Sequence, residues 1–531
     1  MGHDYYHFFV RLCLGALHFW QNGWDVPHYT PLIVGGIPFF ADPQAIYYSF
    51  PQFLFLYFPP LWSLGGTVVV FYLLGYWGFL KLAREAYGMS DLVAHFCALL
   101  FILNGYSFSQ LLMGHVTHHS YLLFPWLLYG FLGSAPFLLR LIPFSFALIY
   151  AFYSGGMHVL VIFAAGLFLF LPAHFTLRRL YFIAGAAVIL GLTCSGKFMA
   201  SYLFSKSFYI AEIDPAPWSL PQFLYQYFWF HPGSTPPYTI FGRWNFGAWE
   251  YVGFLSKITL GGLFAFIWMD RKNARRWILF AVPALTVAVL ASGTEMNSHL
   301  AFFRHYHNPT KMLAAFIPPL ILMTGVSLNR VREKWEKLRW APVAFFLISL
   351  ILVAEFRYYV QFFNEINQPV HFTYQRKMFE ALRERGRLAP IKMVQQQYNV
   401  EFPGLFQGLT SALNNEPLFG YRGEANRSKL EQGPTSLLRD GKFNLNHPGC
   451  FVYSSYFHCE PWDRISEENR DEFELFIRGK SAFGVPPWQS TLIHLNALAI
   501  VVFLISWLVL RIRSWVPPFM VFSSVPLPHP R

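Results

Sequence analysis

Residues 157–200 read MHVLVIFAAGLFLFLPAHFTLRRLYFIAGAAVILGLTCSGKFMA. Two apolar runs lie on either side of Arg178 and Arg179, and the charged pair separates them. At 1.5 Å of rise per residue, each run is long enough to approach a hydrocarbon core about 30 Å thick. The stretch therefore predicts two membrane-spanning helices joined by a short basic turn.

The composition of the whole chain agrees with that prediction. Of its 531 residues, 55% are hydrophobic, 20% are aromatic and only 13% are charged, whereas soluble domains average about 25% charged residues. These values exclude an ordinary soluble protein, and the high aromatic content excludes a disordered one. The net charge of +12 comes from short basic clusters between apolar runs, which indicates membrane topology rather than nucleic-acid binding.

Counting apolar runs outward from this stretch gives eleven predicted spans. The fold class is therefore an all-α polytopic membrane bundle. The spans cover residues 61–80, 91–113, 118–133, 139–154, 157–174, 179–201, 251–269, 276–292, 310–329, 340–358 and 492–510.

Lysine and arginine are distributed unevenly over the loops that join these spans. Alternate loops contain almost none of them, with Arg304 in residues 292–309 as the exception. By the positive-inside rule, the basic loops are cytoplasmic, and residues 1–60, 202–250 and 359–490 face the other side of the membrane. The basic set comprises Lys81, Arg84, Arg140, Arg178, Arg179, Arg271, Lys272, Arg275, Arg276, Arg330, Arg332, Lys334, Lys337, Arg339, Arg511 and Arg513.

Four regions follow from this topology. Residues 1–60 form a first extracytoplasmic loop, 61–358 the bundle, 359–490 a small mixed α/β domain, and 491–531 the last span and a cytoplasmic tail. In the α/β domain the pattern predicts a helix over 374–387 and strands over 391–394 and 450–453. A disulfide between Cys450 and Cys459 is predicted if the domain faces an oxidising compartment.

The N-terminal segment has the pattern of an amphipathic helix lying at a membrane surface. No apolar run precedes it, so nothing visible carries this end across the membrane. We expect a twelfth, upstream span to be missing from the sequence. The apolar positions at helical spacing are Tyr5, Phe8, Phe9, Leu12, Ala16 and Phe19.

Several motifs together resemble the bacterial GT-C membrane glycosyltransferases, especially the YfhO-type group. They are residues 24–27, 35–44, 114–119, 249–253 and 303–311, and the segments 415–421, 444–450 and 459–463 resemble the C-terminal portion of the same group. The resemblance implies a GT-C-like bundle in the bacterial inner membrane with a periplasmic soluble domain. It also implies transfer of a sugar from a polyprenyl-phosphate carrier to a glycan, lipid or protein acceptor of the cell envelope, and leaves Mg²⁺ or Mn²⁺ open as a cofactor.

Asp4 is the position that matches the acidic catalytic residue of that family. A carboxylate there can take the proton of an acceptor hydroxyl or hold a metal; the alternative is an N-cap for the helix that follows. Asp25 and Asp42 are secondary candidates, because aspartates in such Gly/Pro-rich segments usually form turns.

Two polar clusters are the candidate substrate-binding groups. His115, His118 and His119 can hydrogen-bond a substrate, with a metal site or a polar membrane rim as alternatives. The second cluster has the cations and imidazoles that suit a phosphate, with snorkelling to lipid headgroups as the alternative. It comprises Arg304, His305, His307 and Lys311, while Glu250 and Lys197 near the ends of their spans share this ambiguity.

Two other functions are compatible with the same sequence. One is a flippase or transporter of a lipid-linked saccharide, although transporters usually place charges at the membrane midplane and show inverted repeats. The other is a noncatalytic membrane scaffold, because a fold can persist without its activity.

Overall fold

The structure is a computed structural model that describes residues 4–33, 36–205, 208–209, 227–228, 253–272, 274–291, 309–334, 341–366, 372–395, 407–411, 420–421, 431–447, 449–453, 464–480 and 485–515. In this part of the chain, seven helical stretches are long and apolar enough to cross a membrane. The protein is therefore a helical membrane protein. The seven stretches are Pro60–Ala86, Asp91–Met113, Met157–His174, Leu177–Ser205, Pro309–Glu333, Pro342–Gln361 and Pro487–Val509.

The helices of the bundle follow one another with short connections. They are α3 (Pro60–Lys81), α4 (Asp91–Ile102), α5 (Gly105–Met113), α6 (Phe124–Leu132), α7 (Phe137–Tyr153), α8 (Met157–His174), α9 (Leu177–Ser205), α10 (Lys257–Asp270), α11 (Ala274–Ala291), α12 (Ile317–Lys334), α13 (Ala341–Ile366) and α17 (Pro487–Trp515). Two 3₁₀ segments, Val116–Leu123 and Pro309–Phe316, precede α6 and α12.

Four of the eleven predicted spans are shorter than the sequence suggested. Residues 118–133 divide into a 3₁₀ segment and the nine-residue α6, because Ser120 and His119 bond the nearby carbonyls of Thr117 and Val116 and Pro125 starts a new helix. The helix α10 has 14 residues, or about 21 Å. The apolar helices Phe137–Tyr153 and Ile278–Ala291 also fall below the length of the seven.

Basic residues gather at one end of the bundle. Tyr129 donates to Glu85 (2.6 Å), and Lys81 lies 4.9 Å from the Tyr129 ring centroid. Arg179 lies over the Phe131 ring. Because α3 begins beside α2 and ends at Lys81, we call this the basic end and the opposite one the α1 end. Lys81 and Arg179, from two loops predicted to share one side, therefore lie at the same end.

The last helix is attached to α9 by an asparagine. The side-chain amide of Asn496 donates to the carbonyl of Leu192 (2.7 Å), while its oxygen accepts from the Gly196 amide (2.7 Å). A Cβ at Gly196 would lie 2.7 Å from that oxygen, so glycine is required for the close approach. This pair of bonds fixes α17 against the bundle near the α1 end.

The N-terminal segment forms α1 (Asp4–Asn22), and the predicted apolar stripe is buried as expected. Arg11, which the pattern assigned to the polar face, is also buried, at 2% exposure. α1 packs on α2 (Phe50–Phe55) and on α14 (Phe372–Arg385). The helix is therefore enclosed by protein on more than its apolar face, which differs from the surface-lying helix predicted.

The region after α13 contains small sheets. The strand β4 (Met393–Gln395) lies between the parallel strand β5 (Leu409–Ser411) and the antiparallel strand β7 (Gly433–Pro434). Three antiparallel pairs complete the described strands: β1 (Tyr29–Thr30) with β2 (Ile37–Pro38), β3 (Phe208–Tyr209) with β6 (Gly420–Tyr421), and β8 (Lys442–Asn446) with β9 (Arg464–Ser466).

This region and the N-terminal segment share one hydrophobic core. Phe379 of α14 packs on Phe55, and Phe476 of α16 (Arg470–Ile477) stacks on Tyr29. Tyr29 also donates to the carbonyl of Lys480 (2.8 Å). Residues predicted as two separate regions are thus packed together at the α1 end.

Local predictions in this region had mixed outcomes. The predicted helix over 374–387 is α14, and the predicted strand over 391–394 contains β4, shifted by two residues. The predicted strand over 450–453 is wrong, because Gly449–Val452 form the short helix α15. The amide of Tyr453 donates to the Gly449 carbonyl, a helical i+4 bond that replaces a strand partner.

Candidate functional site

Three histidines converge at the α1 end of the bundle. The ring centroids of His115 and His118 lie 5.4 Å apart, and His158 stacks on His118 at 6.0 Å. Tyr106 meets His118 edge-on at 6.0 Å. We call His115, His118, His158 and Lys311 the histidine site.

The 3₁₀ segment and its preceding glycine position these rings. Gly114 ends α5 with φ of +101°, a conformation that favours glycine. The reversed chain brings the His115 amide back to the Gln110 carbonyl, and the Gln110 side chain bonds the His115 ring. His158 enters from α8 as the second residue of that helix.

The beginning of α1 packs directly on this turn. A Cβ at Gly114 would overlap the backbone nitrogen of Tyr5. Asp4 is the first residue of α1, and its side chain lies outside the described residues. The structure therefore brings the backbone of the predicted acidic position to the edge of the histidine site.

Lys311 supplies the positive charge of the site. It lies in the 3₁₀ segment Pro309–Phe316 and is buried, as are His118 and His158. Burial lowers the pKa of His118 well below its usual value, and the Lys311 charge lowers it further. The Nε2 atom of His118 is buried with no hydrogen-bond partner among the described residues. The site thus combines a buried cation with a neutral imidazole that has an unused nitrogen.

His119 points away from this cluster, although it belonged to the same predicted triplet. Its Nδ1 bonds the Val116 carbonyl, and its Nε2 lies 2.6 Å from the Tyr150 hydroxyl. The Tyr150 oxygen also accepts from the Phe50 amide (2.9 Å). His119 therefore joins α7 and α2 to the 3₁₀ segment.

The secondary candidates Asp42 and Lys197 meet in a buried charge cluster with Arg11. Arg11 and Asp42 form an ion pair of 2.7 Å with side chains 2% and 6% exposed. Asp42 also accepts from the Gln44 amide (2.8 Å), so its predicted role in a turn is confirmed. The ammonium of Lys197 lies 5.7 Å from the ring centroids of Phe152 and Tyr153. The cluster holds α1 and α9 to the loop around residue 42.

Asp25 lies in a loop whose backbone is held from two sides. Its carbonyl accepts from Nε2 of His18 (3.0 Å) and from the Tyr47 hydroxyl (3.3 Å). Burial lowers the pKa of His18 to about 4, although the bond to Asp25 opposes the shift. Asp25 itself lines a cavity considered below.

An apolar cavity of about 730 Å³ lies between α7, α8, α9 and α11. Its lining includes Met157 and Met312, the sequence neighbours of His158 and Lys311. Phe168 and Phe198 line it as well and are 40% and 62% exposed, so the cavity opens on the lateral surface of the bundle. We call it the lateral cavity; it connects the membrane face with the histidine site.

Other predicted site residues lie outside the part of the chain that the structure describes. They are Glu250, Arg304, His305, His307 and Cys459. Cys450 is disulfide-bonded, whereas Cys13, Cys97 and Cys194 are free and buried. Among the described residues, no three His, Cys, Asp or Glu side chains are grouped so as to hold a metal ion.

Sequence reasoning missed three residues that the fold places near these sites. Arg11 was assigned to a polar helix face, His158 was read only as the residue that begins a helix, and Tyr150 was not considered. A charged residue inside an otherwise buried helix pattern was an available signal for Arg11. Tyr150 gave no such signal, because its partner His119 is 31 residues away.

Comparisons with known proteins give no further assignment: neither a protein-family model, nor a curated protein, nor a solved structure matches the chain.

Proposed function

We propose that the chain is an integral membrane glycosyltransferase that moves a sugar from a polyprenyl-phosphate donor to an acceptor at the extracytoplasmic face of a bacterial inner membrane. The observation that carries this proposal is the position of the lateral cavity, which ends at the histidine site through Met157 and Met312. A lipid chain held in this cavity would present its phosphate to Lys311. Its volume, about 730 Å³, is within the usual range for ligand pockets.

The charge of the site suits the leaving group of such a transfer. When the bond between the sugar carbon and the phosphate oxygen breaks, the phosphate keeps the electron pair and gains negative charge. Lys311 is a buried cation and stabilises that charge more than it would in water. His118 adds a nitrogen that can share a proton with the sugar or phosphate.

The acceptor must lose a proton as its oxygen bonds to the sugar carbon. In this proposal the Asp4 carboxylate takes that proton, as the family resemblance implies. The contact of Tyr5 with Gly114 supports the assignment, because it brings the beginning of α1 to the residue before His115. Asp4→Asn should then abolish transfer without unfolding the protein.

The lateral cavity can be tested by filling it. Gly191 lines the cavity, and a Cβ at this position would have no atom within 4 Å, so Gly191→Trp should occupy the space. Gly65 on α3 is equally open but lies away from the cavity, which makes Gly65→Trp the matched control. With the full chain in nanodiscs and a panel of radiolabelled polyprenyl-phosphate sugars, we expect Gly191→Trp to raise the donor KM about tenfold.

The cation can be tested against another lysine. Lys311→Gln should lower kcat about 100-fold, since it removes charge stabilisation of the leaving phosphate. Lys257→Gln alters an exposed lysine at the start of α10 and should leave kcat unchanged. Absence of transfer from every donor, or equal rates in the two lysine variants, would overturn the proposal.

A further inference from the structure

A second cavity, of about 850 Å³, lies between the loop around Asp25, α7 and α17. Tyr150 and Tyr153 of α7 line it, whereas Leu148 and Phe152 of the same helix line the lateral cavity. At 100° per residue these two stripes of α7 are roughly 130° apart. The helix therefore separates two cavities, and we call the second one the α17 cavity.

The lining of the α17 cavity changes from polar to apolar along α17. Ser490, His494 and Asn496 line it near the α1 end, and Ile500, Phe503 and Leu504 follow toward the basic end. From His494 to Leu504 the helix rises about 15 Å, which is half of a hydrocarbon core about 30 Å thick. The cavity thus has the polarity and the depth of a single lipid in one leaflet.

The polar part carries negative charge. Asp25 stands at its mouth beside His28 and Tyr48, and the described lining contains no lysine or arginine. Lys197 does not line the cavity; it lies over the Tyr153 ring, and its charge interacts with that of Asp42. A lining whose charge comes from a carboxylate disfavours an anionic headgroup, and carboxylate oxygens can accept hydrogen bonds from hydroxyls.

The α17 cavity and the histidine site are joined by one contact. Tyr150 lines the cavity, and its hydroxyl lies 2.6 Å from Nε2 of His119, the residue after His118. A headgroup in the polar part of the cavity would therefore lie on the other side of the same 3₁₀ segment that carries the histidine site.

We propose that the α17 cavity binds a lipid with an uncharged, hydroxyl-bearing headgroup, and that this lipid is the acceptor of the transfer. The acceptor role rests on the proposed function, whereas the binding of the lipid does not. An anionic phospholipid is the competing occupant, and the charge of Asp25 is the reason for rejecting it.

The test measures occupancy without any donor. The full chain in nanodiscs is irradiated with a photoactivatable glucosyl diacylglycerol, and the labelled peptides are identified. We expect labelling of residues 490–504, competed by unlabelled glucosyl diacylglycerol and about tenfold less well by phosphatidylglycerol. Equal competition by the two lipids would overturn the choice of headgroup.

Two tryptophan variants test the location. Ile500→Trp fills the cavity and should lower labelling about tenfold, whereas Val501→Trp alters a neighbouring residue that is 50% exposed and does not line the cavity. Asp25→Asn should let phosphatidylglycerol compete more strongly, because it removes the carboxylate charge. Equal labelling of the two tryptophan variants would overturn the assignment of the cavity.

The two proposals fail in different ways. If labelling follows these expectations but no donor supports transfer, the cavity is a lipid site and the transferase proposal is wrong. If transfer to a glucosyl diacylglycerol occurs but Ile500→Trp changes neither labelling nor the acceptor KM, the transferase proposal stands and the acceptor binds elsewhere.

Discussion

The hydroxyl of Tyr150 lies 2.6 Å from Nε2 of His119 and accepts a hydrogen bond from the amide of Phe50. His119 uses its other nitrogen on the Val116 carbonyl, which leaves Nε2 as the acceptor for the Tyr150 proton. Three elements, α2, α7 and the 3₁₀ segment 116–123, therefore meet at one oxygen atom. Both proposed cavities depend on that junction, because α7 lines each of them.

Tyr150→Phe should destabilise the protein by about 1–3 kcal/mol, because it leaves the Phe50 amide and the His119 nitrogen buried without their partner. The measurement is thermal unfolding in detergent. Tyr181→Phe is the control, since Tyr181 is 70% exposed on α9 and its hydroxyl can bond water. Equal melting temperatures for the two variants would contradict a structural role for the junction.

The Arg11–Asp42 pair gives a larger expected effect. Asp42→Asn removes the carboxylate and leaves Arg11 buried beside Lys197, so we expect a loss of about 3–5 kcal/mol of unfolding free energy. The exposed pair Arg376–Glu380 has the same kind of contact at 2.9 Å, and Glu380→Gln should cost about 1 kcal/mol or less.

A double variant separates pairing from packing at this site. Arg11→Met combined with Asp42→Asn removes both charges of the pair while it keeps most of the side-chain volume. It should therefore be more stable than Asp42→Asn alone. If the double variant is instead the less stable of the two, the cost comes from lost packing or hydrogen bonds and not from an uncompensated charge.

Periodicity predicted what depends on local pattern. Seven predicted spans and the stripe from Tyr5 to Phe19 on α1 are found where the spacing put them, because apolar side chains must be buried at helical intervals. The same reasoning misplaced Arg11, whose partner Asp42 lies 31 positions away and is joined to it only by the fold. It also misread residues 450–453, since four residues are too few to separate a strand from a helical turn.

The candidate site was predictable in part for the same reason. Residue type identified His115, His118 and Lys311 as polar groups near the ends of apolar runs. Which of them meet depends on tertiary contacts: His158 joins them, whereas His119 turns toward Tyr150. The two cavities gave no sequence signal, because each is lined by apolar residues from separate helices that read as ordinary spans.

His18 should make the stability of the N-terminal region depend on pH. Its folded pKa is about 4 against an ordinary value of 6.5, so the unfolded chain takes up a proton first as the pH falls. Stability is therefore unaffected above about pH 7 and decreases on acidification through 6.5, by about 2 kcal/mol at pH 5. Protonation also removes the Nδ1 acceptor that the Asn22 amide uses (3.2 Å).

The measurement is the melting temperature at pH 7 and pH 5. His18→Phe keeps a ring against Tyr47 but cannot titrate, so it should melt lower than the natural protein at pH 7 and show a smaller change on acidification. His494→Gln alters an exposed histidine of α17 and should keep the natural pH dependence. An unchanged slope in His18→Phe would assign the pH dependence to other groups.

Gly114 offers the sharpest test of how α1 meets the histidine site. Gly114→Ala places a methyl group where it overlaps the Tyr5 nitrogen, at a backbone φ of +101°, so α1 must move away from His115. Gly88→Ala carries the backbone strain alone, because its φ is +62° and nothing lies within 4 Å. We expect Gly88→Ala to cost about 1 kcal/mol and Gly114→Ala at least about 3 kcal/mol.

Activity should separate these two variants further than stability does. Moving the start of α1 displaces Asp4 from the histidine site, so the Gly114→Ala protein that remains folded should lose transfer through kcat, while Gly88→Ala keeps the natural kcat. Rates are compared at a temperature at which both variants are folded, as judged by thermal unfolding. Equal kcat values there would show that the position of α1 does not control the chemistry, and would remove Asp4 from the proposed site.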